Sequence, residues 1–407
     1  MSEPLLVQLV QTLDRPIAES DRARARLHLL DWLACVAGAR QSALRGLGSM
    51  AVPVAIGRAA LMGNLLEMDD VHRAALLHPG PVIWPTALGC GDDSLKRVLD
   101  AALQGYEVMV AIGATLDNHH YAHWHPTATA GLFGAAAAAA ALFHLEPAQT
   151  VSALANAGSV AGGLWHMRHG NVLTKQWHVL HAVRTGQDAA YMAADGLTGP
   201  AEILEGEQGL YAAMCRMPGA MAFSAPWRVN EVSFKPWAAC RHAHPAIDCA
   251  LELRARGQLA APFRVETYAD ALAFCDRPAP VSEIEAKFSL QHAVAVIASG
   301  RDAGPDDFTP AAIAALAPLR AQVTVAEDPA ITARYPAHFG ARVNGLELVD
   351  TRGDPERPVD EAAIRAKMHT LAAWGGLPPE QAERACALAL GGDDAGAITA
   401  MLEDWLK

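Results

Sequence analysis

HWHPTATAGLFGAAAAAAALFHLEPAQTVSALANA, residues 123–157, decides the fold class. Proline disfavours helix in the residue before it, so Pro126 closes the histidine-rich segment ahead of it. The run from Thr127 to Phe143 then forms one helix of about four turns or more. Pro147 stands where a first helical turn tolerates proline, with Glu146 beside it to complement the helix dipole. Alanine is too weakly hydrophobic to hold a span in a bilayer, so the stretch from Ala128 to Leu145 is expected as a buried helix whose small side chains let neighbours approach closely.

Outward from that helix the same texture continues. From Glu19 to about Tyr211 apolar residues recur at intervals of three and four, as in Leu27, Leu30, Leu33 and Ala34, which is the helical period. After Trp227 short alternating runs take over: RVNEVSFKPW, RVETYADALAF, AQVTVAED and ARVNGLELVDTRG. They have strand character, and Asn344-Gly345 is a two-residue hairpin signal. Two helices are expected among them, Pro245 to Arg256 and Ser289 to Ser299. The helical pattern returns from Val359, with Pro378-Pro379 opening another helix. The expected fold is mainly α: a large helical domain from residues 1–229 and 359–407, and a smaller α+β lid domain, 230–358.

Composition removes several function classes. Hydrophobic residues at 52% and charged residues at 19% describe a chain that folds throughout. A net charge of −12 argues against nucleic acid or an anionic membrane surface as partner. Seven cysteines without a CxxC point to no disulfide framework or structural zinc, and suit a reducing cytoplasm, as does a start without signal-peptide order. No phosphate-cradling GxxxxGK[ST], dinucleotide GxGxxG or nucleophile-elbow GxSxG is present.

The acids are unevenly placed. Between Asp117 and Asp188 the only carboxylate side chain is Glu146, while His119, His120, His123, His125, His144, His166, Arg168, His169, Lys175, His178, His181 and Arg184 fall in the same stretch. A second acid-free window, Val232 to Ile247, holds Lys235, Arg241, His242 and His244. Two such windows in an acidic protein create local positive potential, suited to a substrate with several carboxylates. Any one histidine taken alone is more often a hydrogen-bonded core or surface residue. His119 and His123 have the i, i+4 spacing of a metal pair, but lack the glutamate of HExxH, and no metal is expected.

Several blocks, in order, resemble the MmgE/PrpD family: LLDWLACVAGAR (29–40), NLLEMDDVHRAALLHPGPVIWPTALG (64–89), GYEVMVAIG (105–113), HWHPTATAGLFGAAAAAA (123–140), LTKQWHVLHAVRTG (173–186) and FKPWAACRHAHPAID (234–248). The family contains 2-methylcitrate dehydratases, cis-aconitate decarboxylases and an iminodisuccinate epimerase. The resemblance implies a helical domain with an α+β lid, a homodimer, and an active site between the domains that needs no metal or cofactor. By motif it makes His78, His125, Lys175, His244 and Glu67 the catalytic set, with Asp69, Asp70, Arg241, His242 and His292 binding substrate. Glu67 stands where the family has aspartate, Val71 where it has threonine, and Gln291-His292 where it often has Pro-Tyr. The segment between Ala39 and Ala60 is shorter than usual.

These reactions share a carbanion or enediolate next to a carboxylate, which cationic donors stabilise. Lys175, His125 and Arg241, with His242, are the expected carboxylate holders. His125 or His244 is the expected base and His78 the acid, with Glu67 or Asp70 orienting an imidazole. Asp69, Asp70 and His72 also fit a simple helix-start cluster, and Lys175 a snorkelling surface lysine. The implied function is a cofactor-independent lyase or isomerase of a small di- or tricarboxylate, first a 2-methylcitrate dehydratase-like hydro-lyase. The alternatives are an epimerase, a cis-aconitate-type decarboxylase, and an inactive carboxylate-binding homologue.

Overall fold

The computed structural model describes residues 3–41, 55–170, 172–223 and 226–407. The short segment noted above, 39–60, lies largely outside them. Two compact units divide the chain: Met1–Leu65, Asp69–Val232 and Glu361–Lys407 form the first, and Leu66–Met68 with Ser233–Asp360 the second.

The first unit is helical, built round the alanine run. Pro126–Leu142 is one helix in which every residue but Ala141 is buried, so no polar face exists. A helix that is apolar all round must be enclosed by others. It packs against Leu95–Gly113, Pro147–Gly158, Thr174–Ala194 and Gly80–Gly89. Small residues set the spacing: a Cβ on Gly186 would lie 2.3 Å from Ala135 Cβ, 2.7 Å from Ala136 N and 2.8 Å from Leu132 O. Because two of those neighbours are backbone, Gly186→Ala is expected to destabilise the protein by about 1–3 kcal/mol, although alanine is the better helix former. Urea unfolding measures this; an unchanged midpoint would mean that the two helices can part without loss. The returning helices, Glu361–Trp374 and Pro379–Gly391, pack on Glu19–Ala39, and Lys367 Nζ meets Asp31 Oδ1 at 2.6 Å. No described helix is long and apolar enough to cross a membrane.

The second unit carries a four-stranded sheet of order β2-β1-β3-β4, with β1 Phe263–Thr267, β2 Val323–Glu327, β3 Ala341–Val343 and β4 Leu346–Leu348. β2 runs parallel to β1, and β3 antiparallel to both β1 and β4. Asn344 and Gly345, with φ of 45° and 89°, make the expected β3–β4 turn. Helices His244–Ala255 and Leu290–Ala298 pack on the sheet.

Two of the expected strands differ. RVETYADALAF is strand only to Thr267, after which Ala269–Cys275 is helix. RVNEVSFKPW begins with a 3-10 turn, Arg228–Glu231, and continues as extended chain outside the sheet. Val232, Ser233, Phe234 and Lys235 are all at most 1% exposed, so its alternation does not separate a wet face from a dry one. Pro236 removes a ladder donor as well.

Candidate active site

The acidic loop of the first unit is organised around two adjacent carboxylates with different tasks. His72 N donates to Leu77 O at 2.8 Å, closing a tight loop that brings His78 back to Asp69 and Asp70. Asp70 Oδ1 accepts from Gly80 N at 2.7 Å, at the start of helix Gly80–Gly89. Its Oδ2 accepts from Tyr106 Oη at 2.6 Å and His28 Nδ1 at 2.8 Å. Burial pushes the Asp70 carboxyl up to about 6, and the bonds from Tyr106 and Gly80 pull it back. Burial, with the charges of Arg24 and Lys367, holds His28 well below the usual imidazole range, so its ring is a neutral donor. Asp70, expected to touch substrate, is thus fully used in tying three helices together.

Asp69, rather than Glu67 or Asp70, has its carboxylate against His78. Its Oδ2 lies 2.9 Å from His78 Nδ1 and accepts from Asn64 Nδ2 at 2.6 Å. Asp70 O lies 3.0 Å from the same His78 nitrogen. Two acceptors at Nδ1 fix the proton there and leave the lone pair on Nε2 of a side chain that is 13% exposed. His78 N donates to Thr127 Oγ1 at 3.0 Å, which registers this loop on the first turn of the alanine helix.

His125 precedes that helix. Its N donates to Gly163 O at 2.8 Å, and its ring lies 4.6 Å from that of Trp165. His125 Nδ1 and His178 Nδ1 are 3.3 Å apart, so one donates and the other accepts. Nε2 is buried without a hydrogen-bond partner. An orphan buried nitrogen costs free energy unless a ligand satisfies it. Burial first, then the charges of Lys175, His178 and His78, hold the ring well below its ordinary range, with Asp69 opposing weakly. His125 is therefore neutral. When His125 Nδ1 donates to His178, its Nε2 is an acceptor; when His178 donates, a neutral His125 carries its proton on Nε2.

The first unit therefore brings together His78, Asp69, His125, His178 and Lys175. His178 escaped selection although it lies three residues after Lys175, the spacing that puts both on one helix face. His28 and Tyr106 carried no signal: each sits in an apolar helix, where a core role is the ordinary reading.

The second unit holds the other expected residues. Lys235 Nζ is 3.4 Å from Glu67 Oε2, both buried. Arg241 Nη2 donates to Asp354 Oδ1 at 2.5 Å, while its Nε and Nη1 are buried without hydrogen-bond partners, donors suited to a carboxylate. His242 Nδ1 is 2.8 Å from Tyr268 Oη, and the ring stacks on Phe274 and Phe339. His244 Nε2 donates to Ala239 O at 3.1 Å, with Trp237 edge-on to the ring. His292 has both nitrogens engaged, Nε2 with Asp307 O at 2.8 Å and Nδ1 with Arg320 Nη1 at 3.3 Å, and is fully buried. No ring nitrogen is left for a substrate, so the binding role read from its sequence position is withdrawn.

Among the described residues, the set that could share a cation is His338, Asp350 and Glu356, whose ligand atoms lie within 4.8 Å of one another. It belongs to the second unit and contains none of the residues above. His119 and His123 instead pack edge to face, 4.8 Å between centroids.

The histidine burial has a measurable consequence. His120 and His292 are lowered to about 4 by burial, and His28, His72, His125 and His178 are lowered too. Each takes up a proton more readily when unfolded, so its contribution to stability is complete above about 6.5 and is lost as pH falls towards 4, at roughly 1.4 kcal/mol per pH unit. Asp31, Asp70, Asp248 and Asp307, raised by burial, act in the opposite sense but are fewer. The urea midpoint is expected to rise from pH 5 to pH 7; a flat or falling midpoint contradicts neutral burial of these rings.

Comparison with known proteins agrees with the motif blocks. A family model described as the MmgE/PrpD N-terminal domain matches residues 48–220, and one described as the MmgE/PrpD C-terminal domain matches residues 237–390. Human cis-aconitate decarboxylase is 28% identical over 253 residues, 56% of this chain and 51% of that protein. The mouse cis-aconitate decarboxylase is 30% identical over 256 residues, 56% of this chain and 50% of its own length. A cis-aconitate decarboxylase-like protein of Aspergillus oryzae is 28% identical over 161 residues, covering 37% and 33%. The chain spans about half the length of the two mammalian relatives and a third of the fungal one.

Proposed function

Since the chain belongs to the MmgE/PrpD family, we propose that it is a lyase of a small di- or tricarboxylate, working by proton transfer at a carbon next to a carboxylate. Decarboxylation is the favoured outcome, ahead of dehydration, because the relatives above are named for it. The observation that carries the reading is the buried, unpartnered Nε2 of neutral His125, in the field of Lys175.

The residues of the first unit suffice for the chemistry. In an unsaturated tricarboxylate the bond to the departing carboxyl carbon breaks, carbon dioxide leaves, and the electron pair spreads onto the remaining conjugated carboxylate. The Lys175 ammonium opposes that charge. A proton from His125 Nε2 then restores the carbon while His178 passes its Nδ1 proton to His125 Nδ1 and takes one from solvent at its own Nε2, or His78 Nε2 delivers a proton that it has first taken from solvent. No electron enters or leaves, so no oxidant or reductant is required. Dehydration would use the same groups, one imidazole taking the carbon-bound proton and the other protonating the departing hydroxide.

The test is to incubate the protein separately with cis-aconitate, 2-methylcitrate and iminodisuccinate and follow each by proton NMR with carbon dioxide detection. Carbon dioxide from cis-aconitate supports decarboxylation. Loss of water from 2-methylcitrate alone replaces it with the hydro-lyase reading. If none is consumed and none exchanges protons with solvent, the lyase proposal fails.

A further inference from the structure

The groove beside His125 has no role in the chemistry above. Trp124 and Leu164 form an antiparallel bridge, and His125 N is bonded to Gly163 O, so residues 123–125 and 163–166 are held side by side. On this paired backbone lies a groove of about 270 Å³ lined by Ala122, His123, Leu164, Trp165, His166 and Arg168. Its lining includes one guanidinium, two imidazoles and an indole, and no carboxylate. It lies within the stretch whose only acid is Glu146, in a chain of net charge −12. Trp165 belongs to both places: it lines the groove, and its ring is 4.6 Å from that of His125.

We propose that this groove is a substrate-specificity subsite, in which Arg168, assisted by His166 and His123, holds the carboxylate of the substrate farthest from the reacting carbon. The inference rests on the carboxylate reading above and adds to it which class of acid is preferred. A guanidinium fork matches a carboxylate in two parallel hydrogen bonds, and the indole face excludes water from one side of the pair. A charge-assisted contact of this kind is made equally in ground and transition states, so it lowers KM and leaves kcat alone. The groove therefore selects acids with an additional carboxylate over shorter ones.

The experiment measures binding of propane-1,2,3-tricarboxylate and of methylsuccinate, which lacks one terminal carboxylate, to the full chain and to Arg168→Gln and Arg168→Lys, by calorimetry. Wild type is expected to prefer the tricarboxylate at least tenfold, Arg168→Gln to lose that preference with methylsuccinate affinity unchanged, and Arg168→Lys to recover part of it. On a turned-over tricarboxylate, Arg168→Gln raises KM about tenfold or more and leaves kcat within about twofold. A folded Arg168→Gln that keeps the preference, or that loses both ligands alike, overturns the subsite. A wild type that binds both acids equally also overturns it, while leaving the carboxylate reading in place. Failure to bind either acid overturns both.

Discussion

Glutamine in place of His125 is expected to lower kcat by about a thousandfold, within the usual range for a lost general acid–base group. Glutamine nearly fills the space and still offers an amide to His178, but it has no nitrogen that takes up and gives back a proton at neutral pH. Because the His125 ring makes one hydrogen bond and is neutral, its loss should move the melting temperature by only a few degrees. KM should change far less than kcat. The depressed imidazole adds a condition: protonation of His125 does not produce a fall in kcat/KM near pH 6.5, since burial and the Lys175, His178 and His78 charges keep it neutral below that. Rapid-quench rates with melting curves check the first point. A His125→Gln variant within tenfold of wild type removes His125 from the reaction.

Asp69→Asn is expected to have the second largest effect, a loss of about a hundredfold or more in kcat. The aspartate holds the proton on His78 Nδ1, and with it the lone pair on Nε2. The asparagine amide can turn its NH₂ towards Nδ1, which moves the ring proton to Nε2 and the lone pair away from the working atom. His78 N still donates to Thr127 Oγ1 and holds the loop in place, so the change acts on tautomer more than on position. Nitrogen-15 chemical shifts of His78 report it directly, and a variant with wild-type shifts and wild-type rate would contradict the orienting role. Asp70 differs: it bonds Gly80 N, Tyr106 and His28, so its removal acts on stability first.

Much of the helical unit is written locally in the sequence. The alanine run, with prolines at 126 and 147 in first helical turns, needs no distant information to become a buried helix, and Asn344-Gly345 adopts the positive φ values that its residue types allow. RVNEVSFKPW misleads because alternation marks a strand only where one face is wet, and here both are buried. For the site, the scarcity of acids in 118–187, where Glu146 is the only one, points to the region of His125, Lys175 and His178, since charge sorting survives without knowledge of contacts. The division of labour between Asp69 and Asp70 does not survive in that way. It depends on Asn64, Tyr106 and His28, which approach from two other helices and a loop. His292 illustrates the same limit: a family position suggested substrate, and Asp307 and Arg320 occupy its ring.

Proton delivery by His125 is open to one direct measurement. The protein, incubated in deuterated water with the tricarboxylate it converts, should yield product carrying a single deuteron at the carbon beside the retained carboxylate, and His125→Gln should leave that carbon unlabelled over the same interval. Deuterium appearing in the His125→Gln reaction at the wild-type rate would contradict the role assigned to its orphan Nε2.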